Sequence, residues 1–157
     1  MSKLDEVKQL VLKWDQTSDD RIDWDTYFMA EAIISSSRSP CHRLHVGCVL
    51  VRDKRVISMG YNGFLPGEEH KSVVRRDCDG KDHEQATVHA EQNAICFAAK
   101  NGITLDGAVA YINYYPCLNC AKLLASSGIK KVYFHANYNN DPLVSEICTK
   151  LEVIQLV

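Results

Sequence analysis

The spacing of hydrophobic and polar positions changes several times along the chain, and each change predicts a new element. Helical spacing of apolar residues predicts one helix over residues 1–16 and a second that starts near Asp23 and runs through WDTYFMAEAIISSS. The polar residues DQTSDD at 15–20 break the pattern between them. The apolar faces of these two helices consist of Leu4, Val7, Leu10, Val11 and Trp14, and of Trp24, Tyr27, Phe28 and Ile34.

β-branched residues dominate the next two segments. VGCVLV (46–51) and RVISMGY (55–61) predict two strands joined by a hairpin around Asp53-Lys54. Residues 62–86 are polar, with glycines and charges, and predict a long loop. A loop of this length in a compact domain usually has a function.

Helices and strands alternate from residue 88 onward. Helices are predicted over 88–100, over CLNCAKLLASSG (117–128) with Pro116 at its start, and over DPLVSEICTK (141–150). Strands are predicted over 108–113, 130–135 and 151–157. Such alternation is typical of an α/β domain with a partly parallel sheet. We therefore expect a three-layer α/β/α sandwich with a mixed five-stranded sheet.

Length and composition fit one globular domain, with 157 residues, 46% hydrophobic and 24% charged. The formal net charge of −2 gives no broad attraction to a polyanion, so no nucleic-acid partner is expected. The first 16 residues are charged throughout and do not resemble a signal peptide. No apolar run approaches the roughly 20 residues that span a membrane. These features predict no membrane partner and a cytoplasmic location.

The chain has seven cysteines, an odd number, and its sequence shows no secretory signal. Both features argue against a disulfide framework. Cys48, Cys96 and Cys148 are predicted to be small buried apolar residues. The other four lie near turn residues or histidines, where metal binding is plausible chemistry: Cys41, Cys78, Cys117 and Cys120.

Two short stretches, HAEQNAI (89–95) and YYPCLNC (114–120), carry the candidate chemistry. Cys117 and Cys120 are three residues apart on the first turn of a predicted helix, so their sulfurs can grip one ion. The positive end of that helix favours the thiolate form that a metal requires. His89 stands at the start of its own helix. Three protein ligands with a fourth position left for water are the mark of a catalytic zinc.

Glu91 follows His89 by two residues, so the two side chains should diverge on a regular helix. Glu91 is therefore expected beside the metal, where a carboxylate can move a proton between water and substrate. Each half of the pattern also has a simpler interpretation. A lone CxxC is often redox-active or simply buried, and a lone HxE has almost no specificity. Together and in this order they form a strong signal, because H-x-E…P-C-x-x-C is a known signature of zinc deaminases.

The chain resembles the cytidine deaminase-like zinc enzymes, and within them the deoxycytidylate (dCMP) deaminases. The resemblance covers roughly residues 22–157. It implies a catalytic domain of that fold over 21–157, with residues 1–20 as an N-terminal helical extension. The segments that carry it are WDTYFMAEA (24–32), VGCVLV (46–51), GYNG (60–63), HAEQNAI (89–95), PCLNCAKLLASSGIKKVYF (116–134) and LEVIQL (151–156).

The resemblance implies the reaction and the residues that perform it. His89, Cys117 and Cys120 would bind zinc, and Glu91 would shuttle protons. The reaction would be hydrolytic deamination of dCMP to dUMP and ammonia, which supplies dUMP for thymidylate synthesis. The expected substrate contacts are Asn62 at the sugar, the Ala90 backbone N–H at the pyrimidine and Tyr115 in the pocket wall.

Further expectations concern the phosphate, the assembly and regulation. Ser39 and Arg43 precede the first strand and are candidate phosphate contacts, although either could be a solvated surface residue. Members of the family are usually homo-oligomers, often hexamers, and many are activated by dCTP with Mg²⁺ and inhibited by dTTP. One departure is Asn113, which stands where the family usually has threonine and leaves pyrimidine selectivity open.

The predicted loop and a preceding turn offer a second set of zinc-type ligands: Cys41, His70, Cys78 and His83. Several bacterial and phage relatives resemble the chain here and use such residues for a structural zinc. This chain reads DHE, with Glu84, where bacterial relatives often read GHC. In the simpler interpretation the histidines are solvated and the thiols are free.

Other activities remain open on the sequence. A tRNA adenosine deaminase shares HAE and PCxxC, but the acidic net charge and the absence of a basic tail disfavour RNA. A nucleoside cytidine deaminase would typically have cysteine at the position of His89. A dCTP-deaminating variant is harder to separate from a dCMP enzyme. A non-enzymatic nucleotide sensor is disfavoured because all four catalytic residues are intact.

Overall fold

The computed structural model of the protein describes residues 1–14, 21–78 and 80–157. The helices within these residues are α1 (Lys3–Trp14), α2 (Trp24–Ser36), α3 (Ala90–Lys100), α4 (Leu118–Ser126) and α5 (Leu143–Ile147). The strands are β1 (Gly47–Arg52), β2 (Arg55–Tyr61), β3 (Gly63–Phe64), β4 (Val74–Arg76), β5 (Asp82–Glu84), β6 (Thr87–Val88), β7 (Val109–Tyr114), β8 (Lys131–Ala136) and β9 (Glu152–Gln155). The polar break predicted at 15–20 lies outside the described residues. Across the described ranges, every helix is too short or too polar to cross a bilayer.

The central sheet is mixed, as predicted. Its strand order is β2-β1-β7-β8-β9, with antiparallel pairs at β2–β1 and β1–β7 and parallel pairs at β7–β8 and β8–β9. The predicted hairpin between β1 and β2 is confirmed. Asp53 and Lys54 turn the chain with φ angles of 52° and 57°, the pair of positive values that suits a two-residue hairpin.

Helices cover both faces of the sheet, which confirms the three-layer α/β/α architecture. Successive residues of a strand point to opposite faces. Cys48 and Leu50 of β1 therefore join the core beneath α3, α4 and α5, whereas Val49 and Val51 join the core beneath α2. β7 ends at Tyr114 and α4 begins at Leu118, so the start of α4 lies just beyond the carboxyl end of β7.

The apolar stripe predicted for α2 was wrong except at Phe28. The helix starts as predicted, because the Asp23 side chain accepts a hydrogen bond of 2.9 Å from the Thr26 N–H. Its buried side chains are Phe28, Met29, Ala32, Ser35 and Ser36, whereas Trp24, Tyr27 and Ile34 are exposed. α2 is apolar around most of its circumference, so spacing alone could not select the buried side.

The first helix is confirmed over Lys3–Trp14, but the apolar face predicted for it is not buried. Each of its residues is exposed or half-exposed, and none belongs to either core cluster of the described chain. The helix is amphipathic, with an acidic first turn and Lys13 in its last turn. Its apolar residues therefore make no contribution to the buried core.

The long loop predicted over 62–86 contains paired strands, so that prediction was wrong in part. β3 pairs with β6, and β4 pairs with β5, in two small antiparallel sheets. These strands are two or three residues long, too short to produce a recognisable alternation. Side chains add to the pairing of the β4–β5 hairpin. The Arg76 Nε lies 2.9 Å from Asp82 Oδ1, and Glu84 Oε1 accepts a hydrogen bond of 2.9 Å from the Val73 N–H.

The cysteine predictions were correct at two of three positions. Cys48 is fully buried and Cys148 is almost so, whereas Cys96 is exposed on the outer side of α3. The buried residues of α3 are Ala90, Glu91, Ala94 and Ala98, and Cys96 is not among them. The general tendency of cysteine to be buried therefore did not predict the exposure of Cys96.

Candidate active site

Two helix N-termini meet at the edge of the sheet where β7 ends. His89 immediately precedes α3, and its backbone N–H donates to Oε1 of Gln92 at 3.0 Å, which fixes the start of the helix. Cys117 immediately precedes α4, so the helix begins two residues after Pro116 rather than at it. Both predicted ligand-bearing helices therefore present their positive ends to one point.

The three residues predicted as metal ligands lie together at this point. Nδ1 of His89 is 3.6 Å from Sγ of Cys117 and 3.4 Å from Sγ of Cys120. All three ligand atoms lie within 4.8 Å of one another. Among the described residues, this is the one group of three or more histidine, cysteine or acidic side chains gathered in this way.

The electrostatics favour a thiolate in this cluster. A hydrogen bond from the Cys120 side chain, assisted by His89, lowers the pKa of Cys117 to about 4. The same hydrogen bond and burial raise the pKa of Cys120. The pKa of His89 is raised, chiefly by its hydrogen bond with Cys117. A thiolate paired with an imidazole is the donor chemistry of a zinc site.

The donor set therefore fits zinc. Two sulfurs and one imidazole nitrogen match the soft-to-borderline ligands that zinc prefers. Three protein ligands are one fewer than a structural zinc site normally uses, which leaves one position for water or substrate.

Glu91 lies in the first turn of α3, beside the cluster. Its side chain is only 4% exposed, and burial is the main reason that its pKa is raised. Glu91 is not one of the three gathered ligands, although it interacts with the Cys120 side chain. A buried carboxyl with a raised pKa, next to a metal site, is suited to accept and return a proton.

A cavity of ≈ 190 Å³ opens onto these residues. Of the predicted substrate contacts, Asn62, Ala90, Tyr115 and Arg43 line it, together with Glu91. Ser39 does not: it is buried, and its hydroxyl accepts a hydrogen bond of 3.2 Å from the Cys41 N–H.

Sequence reasoning missed several residues of the cavity wall. Tyr114 ends β7 and Tyr138 follows β8, and their rings lie 6.1 Å apart in an edge-to-face arrangement. The Tyr138 hydroxyl accepts a hydrogen bond of 3.3 Å from the Arg43 guanidinium. Ligands of α/β sheets bind at the carboxyl ends of parallel strands. That rule would have directed attention to the residues after β8.

The four residues predicted for a second zinc do not converge. Among the described residues, no three of their ligand atoms share a cluster. The His70 ring stacks on Phe64, Cys78 is exposed, and Nε2 of His83 lies 2.6 Å from Oδ2 of Asp77. Cys41 is buried and lines the cavity.

An α/β/α fold with a histidine and two cysteines at two helix starts defines a class of metal-dependent enzymes. Residues 22–136 match the family model described as the cytidine and deoxycytidylate deaminase zinc-binding region. The chain belongs to this deaminase family, and zinc is the metal that both the family and the ligand cluster support.

Known proteins resemble the chain over most of its length. The ComE operon protein 2 of Bacillus subtilis is 42% identical over 131 residues, which are 82% of this chain and 67% of that protein. The deoxycytidylate deaminase of Schizosaccharomyces pombe is 36% identical over 128 residues, 77% of this chain but only 39% of the yeast protein. The crystal structure of the dCMP deaminase from the cyanophage S-TIM5, in complex with dCMP and dUMP, superposes with a TM-score of 0.71. It is 31% identical and covers 83% of this chain and 95% of the phage chain.

Proposed function

We propose that the protein is a zinc-dependent dCMP deaminase, which converts dCMP and water to dUMP and ammonia. The observation that carries the proposal is the buried Glu91 carboxyl beside the His89–Cys117–Cys120 cluster, in a cavity that opens to solvent. The choice of dCMP as the substrate rests on similarity to deoxycytidylate deaminases. One of them is the phage enzyme, which the match covers over 95% of its chain.

His89, Cys117 and Cys120 would hold the zinc. When bound, zinc supplies Lewis acidity that activates water as a nucleophile at neutral pH. Glu91 would take one proton from the attacking water and pass it to the ring nitrogen N3 of the pyrimidine. It would then take the remaining proton of the added hydroxyl group and pass it to the departing amino group. The oxygen of water becomes bonded to C4 and the C4–N bond breaks, so that ammonia leaves. A carboxyl whose pKa lies above its ordinary range can perform both transfers.

The cavity wall would orient the pyrimidine and the sugar. The Ala90 N–H lies at the first position of α3, where a helix provides no internal acceptor, so it is suited to donate to the ring. Tyr115 would pack along the base. Its ring is held by Phe134, whose ring centroid lies 5.0 Å away in an edge-to-face arrangement. Asn62, which also lines the cavity, would contact the sugar.

Arg43 is the proposed contact for the 5′-phosphate. Its guanidinium donates to the Asp82 carbonyl and to the Tyr138 hydroxyl at the cavity, so it is held there before substrate arrives. Arginine is well suited to a phosphate because its planar fork supplies paired donors. Ser39 would contribute indirectly, because its hydroxyl accepts a hydrogen bond from the backbone N–H of Cys41, two residues before Arg43.

Substrate choice is tested by steady-state assays of ammonia release from dCMP, dCTP, deoxycytidine and cytidine. We expect dCMP to have the highest kcat/KM. Replacing Arg43 with alanine should raise the KM for dCMP and leave the KM for deoxycytidine unchanged. The matched control is Arg52→Ala, which removes an arginine that donates to the Thr104 carbonyl away from the cavity. Preference for dCTP or for a tRNA substrate in the parent protein would refute the proposed substrate.

Regulation and assembly are proposed on the family resemblance. Activation by dCTP with Mg²⁺ and inhibition by dTTP would appear in the same assays as changes in kcat/KM. A homo-oligomer, with a hexamer favoured, would agree with the exposed apolar side chains on the outer helices, among them Phe97, Leu123 and Ile147. Light scattering of the purified protein measures the number of chains.

A second, structural zinc at Cys41, His70, Cys78 and His83 remains a prediction. Its support is that the sequence offers four zinc-type ligands, of which Cys41 and His83 line the same cavity. The four side chains would have to move in order to converge on one ion. Metal analysis of the purified protein decides it. Two zinc ions per chain would support the second site, and one would refute it.

A further inference from the structure

Side-chain amides replace main-chain pairing at the point where β1 begins. We call residues 44–47 the wall segment. On the β2 side, Oδ1 of Asn62 accepts from the Val46 N–H at 2.8 Å, and Nδ2 donates to the Leu44 carbonyl at 2.8 Å. The Asn62 N–H also donates to the Val46 carbonyl at 3.1 Å. Asn62 thus extends the hydrogen-bonding edge of β2 along the wall segment.

Asn113 performs the equivalent task at the other edge. Its Oδ1 accepts from the Gly47 N–H at 2.9 Å, and its Nδ2 donates to the His45 carbonyl at 2.9 Å. Alternate residues of an extended chain direct their N–H and C=O groups to opposite sides. One asparagine therefore binds residues 44 and 46, and the other binds residues 45 and 47. Both asparagine side chains are buried, at 7% and 8% exposure.

The wall segment is also held from behind. A Cβ on Gly47 would lie 2.0 Å from the Ala32 carbonyl oxygen and 2.7 Å from the Ser36 nitrogen. The backbone of the segment therefore rests directly on the last turns of α2. Both edges of the segment and its back are therefore fixed. Leu44 and Val46 of the segment line the same cavity as Ala90 and Glu91.

We propose that Asn113 is a positioning residue for the substrate, and this rests on the proposed function. Asn113 does not line the cavity, whereas its neighbour Tyr114 does. It acts by setting how closely the wall segment approaches the base and sugar. Asn62 holds the same segment but also touches the cavity, so only Asn113 acts purely through the wall.

An amide is the side chain that this task requires. It offers one donor and one acceptor on separate atoms, as a peptide group does, so it can bridge the N–H of one residue and the carbonyl two residues before it. A threonine hydroxyl also donates and accepts, but both hydrogen bonds must meet at one oxygen on a shorter side chain, so we expect it to bridge the two backbone groups less well. An unpaired buried group would draw the segment out of position or admit water.

Kinetics of Asn113→Ala and Asn113→Thr separate positioning from a structural role. We expect the KM for dCMP to rise about tenfold, since a small misplacement of a binding wall costs this much or more. The kcat at saturation should stay within about twofold, because the zinc ligands and Glu91 are untouched. Zinc content should equal that of the parent. Assays are made well below the melting temperature of each variant, and the threonine variant is available if the alanine variant does not fold.

Tyr111→Phe is the matched control. Tyr111 lies on β7 two residues before Asn113, and its hydroxyl donates to Asp25 on the α2 side at 2.6 Å. Its loss removes a hydrogen bond from the same strand without touching the wall segment, so the KM should not change. An unchanged KM in both Asn113 variants would overturn the proposal. The proposal would also be overturned if the Asn113 variants lost stability and kcat together while the KM for dCMP did not rise.

Amide hydrogen exchange tests the anchor without any substrate. In the parent the Gly47 amide should be protected by Asn113, and both variants should exchange it at least about tenfold faster. The Leu50 amide, inside β1, should keep its rate and serves as the reference. Unchanged exchange at Gly47 would overturn the anchoring role. If the parent does not deaminate dCMP, the proposed function fails instead, and the exchange result still decides whether Asn113 holds the wall.

Discussion

Gly60 lets the first turn of α3 rest directly on β2, beneath the backbone of Ala90. A Cβ added at Gly60 would lie 2.4 Å from the Ala90 carbonyl oxygen and 2.6 Å from the Ala94 nitrogen. Both atoms belong to the backbone of the helix, so neither can turn aside as a flexible side chain would. The absence of a side chain at Gly60 thus helps to set the positions of His89 and Glu91.

Gly60→Ala is expected to reduce both stability and activity. The added methyl group must push α3 from β2, and the typical cost of such overpacking is about 1–3 kcal/mol. A shift of α3 also moves His89 relative to the two cysteines, so zinc affinity and kcat/KM should fall together. Thermal unfolding, metal content and dCMP kinetics measure the three effects.

Gly63→Ala provides the control for that substitution. A Cβ at Gly63 would meet its nearest neighbour, Cδ of Pro40, at 3.4 Å, which is ordinary contact. This variant should retain the zinc and the kinetics of the parent. Equal behaviour of the two alanine variants would contradict the packing explanation.

Glu91→Gln is expected to abolish turnover while the fold is kept. The amide preserves the shape of the side chain but cannot carry the proton, and positioned acid–base groups contribute about 10²–10⁴-fold to rate. Removing a buried carboxylate also removes its desolvation cost, so the melting temperature should be equal to or above that of the parent.

The comparison for Glu91 is Glu31→Gln on the opposite layer of the sandwich. Glu31 lies on α2 and is partly exposed, so this variant should keep full activity. Residual turnover of the Glu91 variant above about a tenth of the parent rate would exclude proton transfer by this residue.

The sequence predicted the reactive cluster better than it predicted the pocket around it. His89, Cys117 and Cys120 could be located because they lie at the starts of two helices whose boundaries are recognisable in the sequence. Tyr138 and Leu44 could not, because they lie on irregular chain whose course depends on tertiary hydrogen bonds. The same holds for the short strands between residues 62 and 88, which side chains such as Glu84 stabilise.

Burial was predicted correctly for Cys48, within the apolar run of β1, and poorly for α2. In α2 the spacing selected Trp24 and Ile34, which the structure exposes, because nearly every side of that helix is apolar. Asn113 shows a further limit: its type was noticed as unusual, but its partners His45 and Gly47 become neighbours only after the sheet has formed.

Removal of the metal should inactivate and destabilise the protein. A chelator is expected to abolish ammonia release, and added zinc should restore it. Cys117→Ser should lose most of its zinc and lower kcat by about 100-fold or more, since Lewis-acid activation of water is lost. Its melting temperature should also fall, because metal binding stabilises the fold that gathers the ligands.

Cys96→Ser and Cys78→Ser complete the metal experiment. Cys96 is exposed on α3, outside the ligand cluster, and its replacement should leave zinc content and kcat unchanged. Cys78 belongs to the predicted second site, so Cys78→Ser should remove one of two zinc ions if that site exists. Full activity of the Cys117 variant without zinc would contradict the assigned ligand set.

Tyr111→Phe is expected to lower stability with a distinctive dependence on pH. The Tyr111 hydroxyl donates to Asp25 and joins the sheet to α2, so its loss should cost about 1 kcal/mol at neutral pH. For a chain of this length that cost corresponds to a fall of roughly 2–4 °C in Tm.

Burial, followed by the hydrogen bond with Asp25, raises the pKa of Tyr111 above its ordinary value of 10.0. A group whose pKa is raised by folding stabilises the folded state fully below its unfolded pKa and loses that contribution as the pH rises. The difference in unfolding free energy between the parent and Tyr111→Phe should therefore be constant up to about pH 9 and should shrink above pH 10. Denaturant unfolding of both proteins at several alkaline pH values measures it, and a difference that grows with pH would contradict this role of the hydroxyl.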